Sequence, residues 1–107
     1  MKWHVLLHPL AATELDALPS DLRARFWHVV ELVETFGPMD VGMPHIRPLE
    51  SKLWEMRMQG KDGIARAIYF TTTGRRAMVL HVFTKKTTKT PRAALQMAHR
   101  RKEELET

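Results

Sequence analysis

Positively charged residues stand where two apolar segments could present them to a phosphate group. Arg66 interrupts the otherwise apolar run of residues 64–70, and Lys85 and Lys86 lie at the end of the apolar run that begins at residue 77. A guanidinium is always charged and can bind two phosphate oxygens at once. A strand that ends in several cations fixes these charges while the following turn exposes them. The pattern predicts a phosphate site at one rim of a sheet.

Three strands must position these cations. In residues 53–59, Trp54, Met56 and Met58 alternate with polar residues, and this period of two indicates a strand with one buried face. Residues 64–71 and 76–84 are the next two strands, with turns at 60–63 and 72–75. The three strands predict an antiparallel meander.

The flanking segments predict one further strand and three helices. Residues 3–8 indicate a strand, Pro9 starts a short helix that ends before Pro19, and Ser20 caps a longer helix that ends at Gly37. Residues 37–50 read as a loop, in which His45 and Arg47 are the polar candidates. A C-terminal helix follows, with residue 90 as its N-cap and residue 91 as its first residue.

The order βααβββα predicts a single α+β domain over residues 1–107. We expect a small antiparallel-rich sheet with the N-terminal helical hairpin packed on one face and a C-terminal helix. With 107 residues, 44% hydrophobic and 27% charged, the chain has the composition of a soluble globular protein. It has no cysteine and no long apolar run, so we expect a cytoplasmic protein without disulfides.

Positive charge is concentrated in the second half of the chain. Residues 1–50 hold 4 Lys/Arg and 7 Asp/Glu, whereas residues 51–107 hold 13 and 5. Such an imbalance is typical of a surface that binds nucleic acid or an acidic protein, although a solvated cationic face has the same composition. The six histidines are scattered and lack metal-ligand spacing, so no metal site is expected.

The chain carries LWEMR at residues 53–57, IARAIYF at 64–70 and LHVFTKKTTKTP at 80–91, followed by a helix with Ala98 and Arg100. In this order and at this separation, the three segments resemble the HigB-type, phage-derived branch of the RelE/ParE toxin superfamily. The likeness extends over nearly the whole chain, and its most specific parts are LWEMR and FTKKT at this separation. The resemblance implies a RelE-like fold.

The resemblance also implies a function. It implies a toxin of a type II toxin-antitoxin pair that cleaves mRNA, usually on the translating ribosome, through attack of the RNA 2′-hydroxyl and without a metal ion or other cofactor. The implied partners are mRNA on the ribosome and a cognate helix-turn-helix antitoxin, HigA-like, which carries the complex to operator DNA. No membrane partner is implied.

The resemblance assigns catalytic roles to Arg66, Lys85 and Lys86. Arg66 matches the family's catalytic arginine, which would stabilise negative charge on the pentavalent phosphorus. Lys85 and Lys86 match the paired cations at the strand end; crowding of like charges lowers a lysine pKa, so either could transfer a proton while the other holds phosphate. The alternatives are a salt-bridged arginine at the sheet edge and solvated lysines that protect it.

Further cations are assigned to binding of the RNA backbone. These are Arg57, Lys89 and Arg92, for which a merely charged surface is the alternative. Glu55 stands where RelE has a lysine, and it could act as a base or orient Arg57; we favour the second role.

The sequence departs from some RelE relatives in lacking a tyrosine at residues 90–92. Its one tyrosine, Tyr69, lies on a predicted strand. We therefore expect Phe83 or a histidine to stack against a base. His81 shares the strand parity of Phe83 and Lys85, which would place it in the cleft for RNA, although a histidine in the core or at the sheet edge is the more common outcome.

Two other functions share this fold and remain open. A ParE-like inhibitor of DNA gyrase would need no cleavage centre, and the cation cluster argues against it. A noncatalytic nucleic-acid-binding phage accessory protein is compatible with the missing tyrosine.

Overall fold

A computed structural model describes residues 2–61, 63–85 and 89–106. The elements, in chain order, are β1 (His4–Leu7), α1 (Pro9–Asp16), α2 (Ser20–Phe36), α3 (Pro38–Val41), β2 (Ile46–Pro48), β3 (Trp54–Gln59), β4 (Ile64–Thr72), β5 (Arg76–Lys85) and α4 (Arg92–Glu106). The expected α+β fold is confirmed. No helix in the described ranges has the length and apolar character needed to cross a bilayer.

The five strands form one mixed sheet in the order β1-β5-β4-β3-β2. β3, β4 and β5 form the predicted antiparallel meander, β2 extends it antiparallel to β3, and β1 pairs parallel with β5. The ladder between β4 and β5 is interrupted by a bulge: Ile68 pairs with His81 and Tyr69 with Val79, so Leu80 is the extra residue of β5.

The helices cover both faces of the sheet. The hairpin of α1 and α2 packs on one face, where residues such as Phe26, Met56 and Val79 form the larger core cluster. The C-terminal helix packs on the opposite face, where Leu80 and Ala98 belong to a second cluster. Alternation along the strands therefore divides their side chains between two separate cores.

The hairpin helices form where the sequence predicts them, with small differences at their ends. His8 caps α1 because its Nδ1 accepts a hydrogen bond of 3.0 Å from the backbone N–H of Leu10. Ser20, predicted as the N-cap of α2, is its first helical residue, and Pro19 occupies the cap. α2 ends at Gly37, where φ is +82° and an added Cβ would lie 2.9 Å from the indole nitrogen of Trp3.

The segment of residues 37–50, predicted as a loop, contains α3 and β2. Both are too short, at four and three residues, to show a hydrophobic period. The edge strand β2 forms because β3 offers it a backbone partner: Arg47 pairs with Glu55. The strand thus exists through pairing and not through local propensity.

Candidate active site

The predicted cation site lies on the sheet face that carries α4. Arg66 occupies the central strand β4 and pairs in register with Arg57 on β3 and with Phe83 on β5. Side chains of directly paired residues share a face about 5 Å apart, so these three stand in one row. The Arg66 side chain is only 1% exposed.

Glu55 on β3 is the acidic partner of Arg66. Its side chain is fully buried, and its Oε1 lies 3.4 Å from Nε of Arg66. The hydroxyl of Thr90 donates a hydrogen bond of 2.8 Å to Oε2. The carboxylate therefore pairs with Arg66, whereas the sequence pattern favours Arg57 as the arginine that it orients.

The guanidinium of Arg66 retains unused donors. Nη1 donates to the carbonyl of Ala65 at 3.2 Å, and Nε faces the Glu55 carboxylate, whereas Nη2 is buried without a hydrogen-bond partner among the described residues. Burial lowers the pKa of Arg66; the Glu55 carboxylate opposes this effect, and the charges of Arg57 and Arg47 add to it. Because arginine stays protonated in proteins, Arg66 is a fixed charge whose Nη2 can donate to an anion.

Lys85, the last residue of β5, joins this face through the bulge at Leu80. Without the extra residue, Lys85 would share the face of Val79 and point toward the hairpin core; with it, Lys85 pairs with Ile64 on the Arg66 face. Burial lowers the pKa of Lys85, the charge of Arg66 lowers it further, and Glu55 opposes both. The direction agrees with the prediction, but burial, rather than a neighbouring cation, is the main cause.

Lys86, the second predicted catalytic lysine, lies outside the described residues. Its role stays a prediction.

Two residues without a predicted catalytic role join the cluster. Arg47 on β2 pairs in register with Glu55, and its charge lowers the pKa of both Arg66 and Lys85. Thr90, predicted as a helix cap, instead donates to Glu55. Nothing in the local sequence signals either contact, because both depend on the position of Glu55 in the folded sheet.

The other predicted backbone-binding cations lie beside the start of α4. Lys89 lines a shallow groove together with Arg47 and Thr90. Arg92 is 66% exposed and forms an ion pair with Glu50. A surface pair of this kind contributes little to stability. The exposed position of Arg92 agrees with the alternative of a merely charged surface.

His81 belongs to a cluster that joins α1, β5 and α4. Its Nδ1 lies 3.0 Å from Oε1 of Glu14, and Nη1 of Arg101 donates to the same oxygen at 2.8 Å. The ring stacks on Phe83 with centroids 4.8 Å apart. His81 is thus held by Glu14, and its ring stacks on Phe83, which belongs to the row of Arg66.

The aromatic residues are divided between the two faces. Tyr69 is completely buried in the core beneath the hairpin, and burial raises its pKa. It therefore cannot reach the face of Arg66. Phe83 is half-buried and pairs in register with Arg66, so its ring lies on the Arg66 face of the sheet.

The arrangement can bind a phosphate and stabilise additional negative charge on it. Arg66 and Arg57 offer guanidinium donors, Arg47 adds positive potential, and Lys85 is an ammonium whose pKa is shifted toward neutrality. In the described part of the chain, no group of three or more His, Asp or Glu residues is placed to hold a metal ion.

Solved toxin structures share this fold. A free E. coli toxin RelE with two arginines replaced by alanine has a TM-score of 0.63 and 15% identity, covering 94% of this chain and 98% of that one. A chain of the archaeal RelE–RelB complex from Pyrococcus horikoshii OT3 has a TM-score of 0.59 and 22% sequence identity, and the match covers 78% of this chain and 96% of that one. A chain of the intact E. coli RelBE toxin-antitoxin complex has a TM-score of 0.54 and 14% sequence identity, and the match covers 79% of this chain and 99% of that one. These matches define a RelE fold.

The family itself is defined by sequence. Residues 13–103 match the family described as Phage derived protein Gp49-like (DUF891), and the chain belongs to that family. No curated protein shows a significant match to the chain. The RelE-like fold and the phage-derived family that the resemblance implies are thereby confirmed.

Proposed function

We propose that this protein is the HigB-type toxin of a type II toxin-antitoxin pair and acts as a ribosome-dependent endoribonuclease. It would cleave mRNA through attack of a 2′-hydroxyl on the adjacent phosphate. The observation that carries the proposal is the buried Arg66 guanidinium, whose Nη2 has no hydrogen-bond partner among the described residues, beside Arg57 and Lys85 on one face of a RelE fold.

Charge stabilisation and one of the two proton transfers have candidate residues among those described. In-line attack needs a proton acceptor for the 2′-hydroxyl, stabilisation of the negative phosphorane and a proton donor for the leaving 5′-oxygen. Arg66 and Arg57 bind the non-bridging oxygens, because guanidinium donors match phosphate oxygens. Lys85, with a lowered pKa, performs one of the two proton transfers and solvent water the other, and Phe83 stacks on a neighbouring base. The cations supply the positive charge, so the proposed mechanism uses no metal ion or cofactor.

Access to Arg66 requires a rearrangement of its surroundings. Its side chain is 1% exposed, so an RNA phosphate reaches it only when neighbouring groups move. The hydrogen bond from Thr90 to Glu55 ties the segment before α4 to the site.

The proposed partners follow from the same assignment. Programmed ribosomes present the mRNA, to which the basic second half of the chain is complementary in charge. A HigA-like helix-turn-helix antitoxin would hold the toxin inactive and connect it to operator DNA. Two of the similar solved structures are complexes of RelE with RelB, which supports an antitoxin partner.

Primer extension on a defined mRNA tests the activity. New 5′ ends at in-frame codon positions should appear only with programmed ribosomes, and Arg66→Ala should lower the cleavage rate by about 10²–10³-fold. Arg66→Lys keeps the charge and controls for loss of folding, while Arg76→Ala removes an exposed arginine at the far end of β5 and should cleave normally. No cleavage by folded, antitoxin-free protein would refute the nuclease and favour gyrase inhibition or an accessory role.

A further inference from the structure

A second basic groove lies at the edge of the sheet, next to the Arg66 site. It has a volume of about 460 Å³, within the range of small-ligand sites. Its lining consists of Arg25, His28, Val29, Pro44, His45, Arg57, Met58, Gln59, Ile64 and Arg66. This lining includes three arginines and two histidines, and no acidic residue among those that the structure describes.

The groove exists because β2 is shorter than β3. Pairing between the two strands runs from Trp54 to Met56, and beyond it the backbone N–H of Arg57 donates to the carbonyl of His45 at 2.8 Å. The outer edge of β3 is therefore left to the loop before β2 and to α2. Arg25 and His28 are three residues apart on α2, so they stand one turn apart on the same side of the helix.

The side chains at the groove suit a nucleotide. Arg25 is exposed and can neutralise a phosphate. The rings of His28 and His45 lie 6.3 Å apart in an edge-to-face arrangement, inclined at 79° to each other, and both rings line the groove. Bases stack on histidine rings in single-stranded RNA complexes.

The groove is continuous with the candidate active site. Arg57 and Arg66 line it and are also paired across β3 and β4 in the phosphate-binding row. Because these two arginines face α4 whereas Arg25 lies on the opposite side of the sheet, the groove passes around the edge of β3. A single strand bound at Arg66 can therefore continue over Arg57 toward α2.

We propose that this groove binds the RNA nucleotide next to the phosphate held at Arg66, with Arg25 on its backbone and His28 and His45 on its base. The inference rests on the proposed function and extends its substrate site. An acidic protein segment would also be attracted by the charge, but the paired rings and the continuity with the phosphate row favour RNA.

Binding of a short, fully 2′-O-methylated RNA oligonucleotide tests the groove without cleavage, since this probe has no free 2′-hydroxyl. His28→Ala should weaken binding about 5- to 100-fold through lost stacking. Arg25→Gln should weaken binding and reduce the slope of log K against log salt by about 0.7, the value for one single-strand phosphate contact. The matched control is Arg76→Gln, an exposed arginine outside the groove, which should leave both quantities unchanged.

The outcomes separate this inference from the nuclease. Unchanged affinity and slope in both groove variants, with binding weakened by Arg57→Gln, would overturn the groove and leave the nuclease intact. Weakened RNA binding by the groove variants of a protein that never cleaves would support the groove and refute the nuclease. Groove variants that lose affinity for a poly-glutamate peptide but not for the RNA probe would overturn the assignment to RNA.

Discussion

Replacing Glu55 with glutamine should destabilise the protein strongly, because it leaves Arg66 as an uncompensated buried charge. The two side chains are 0% and 1% exposed. Removing one partner of such a pair costs about 3–5 kcal/mol of unfolding free energy. Glutamine keeps an acceptor for Thr90, so we expect the lower end, about 3 kcal/mol. A domain of this size is stable by only about 5–15 kcal/mol.

Urea unfolding followed by tryptophan fluorescence measures the effect. With an m-value of about 1–3 kcal/mol/M, the midpoint should fall by about 1–3 M without a change in m. Tm should fall by about 15 °C, at about 5 °C per kcal/mol for a small domain. Glu50→Gln is the matched control, because it removes the same charge from an exposed pair with Arg92 and should shift the midpoint far less.

A second substitution tests the cause. In Glu55→Gln combined with Arg66→Met, neither buried charge remains, and replacing a buried pair with neutral groups is close to neutral in stability. The double variant should therefore be more stable than the sum of the two single effects predicts. Strict additivity, or a Glu55→Gln effect no larger than that of Glu50→Gln, would refute the buried-pair reasoning.

Three further results are expected. Lys85→Arg keeps the charge but cannot titrate, so cleavage should fall about 10²–10⁴-fold with RNA affinity retained; a retained rate would limit Lys85 to binding. Burial alone would raise the pKa of Glu14, but hydrogen bonds from Arg101, the Val82 N–H and His81 together lower it below its ordinary value of 4.5. Its stabilising effect is thus complete above that pH and lost as pH falls through the lowered value, so the stability difference between wild type and Glu14→Gln should shrink in acid; a constant difference would contradict this. Gly60→Ala should lower the free energy of unfolding in urea by about 1–3 kcal/mol, because the added Cβ would lie 2.3 Å from a side-chain carboxylate oxygen on α2. Gly63→Ala is the control, since an added Cβ there meets nothing within 4 Å. Equal effects of the two substitutions would exclude this clash.

The sequence by itself determined β1, β3, β4 and β5, but not β2, and the alternation of side chains along β3. Alternation of Met56 and Met58 with Glu55 and Arg57 assigned the two faces of β3 correctly, because side chains of a strand alternate whatever lies beside them. Arg66 was recognised as a candidate because it is the single charged residue in the apolar run of β4. Helix ends were predicted within a few residues from prolines, glycine and capping side chains, which act locally.

Only the tertiary structure decided which groups meet. The bulge at Leu80 turns Lys85 toward Arg66, and the residue types of β5 do not predict this bulge. Three further features depend on which strands are neighbours and where their pairing ends. These are the ion pair of Glu55 with Arg66, the position of Arg47 on β2 opposite Glu55, and the groove beside α2. Strand register is set by contacts between segments distant in the chain, so the local pattern gives each side chain a face but not its partners.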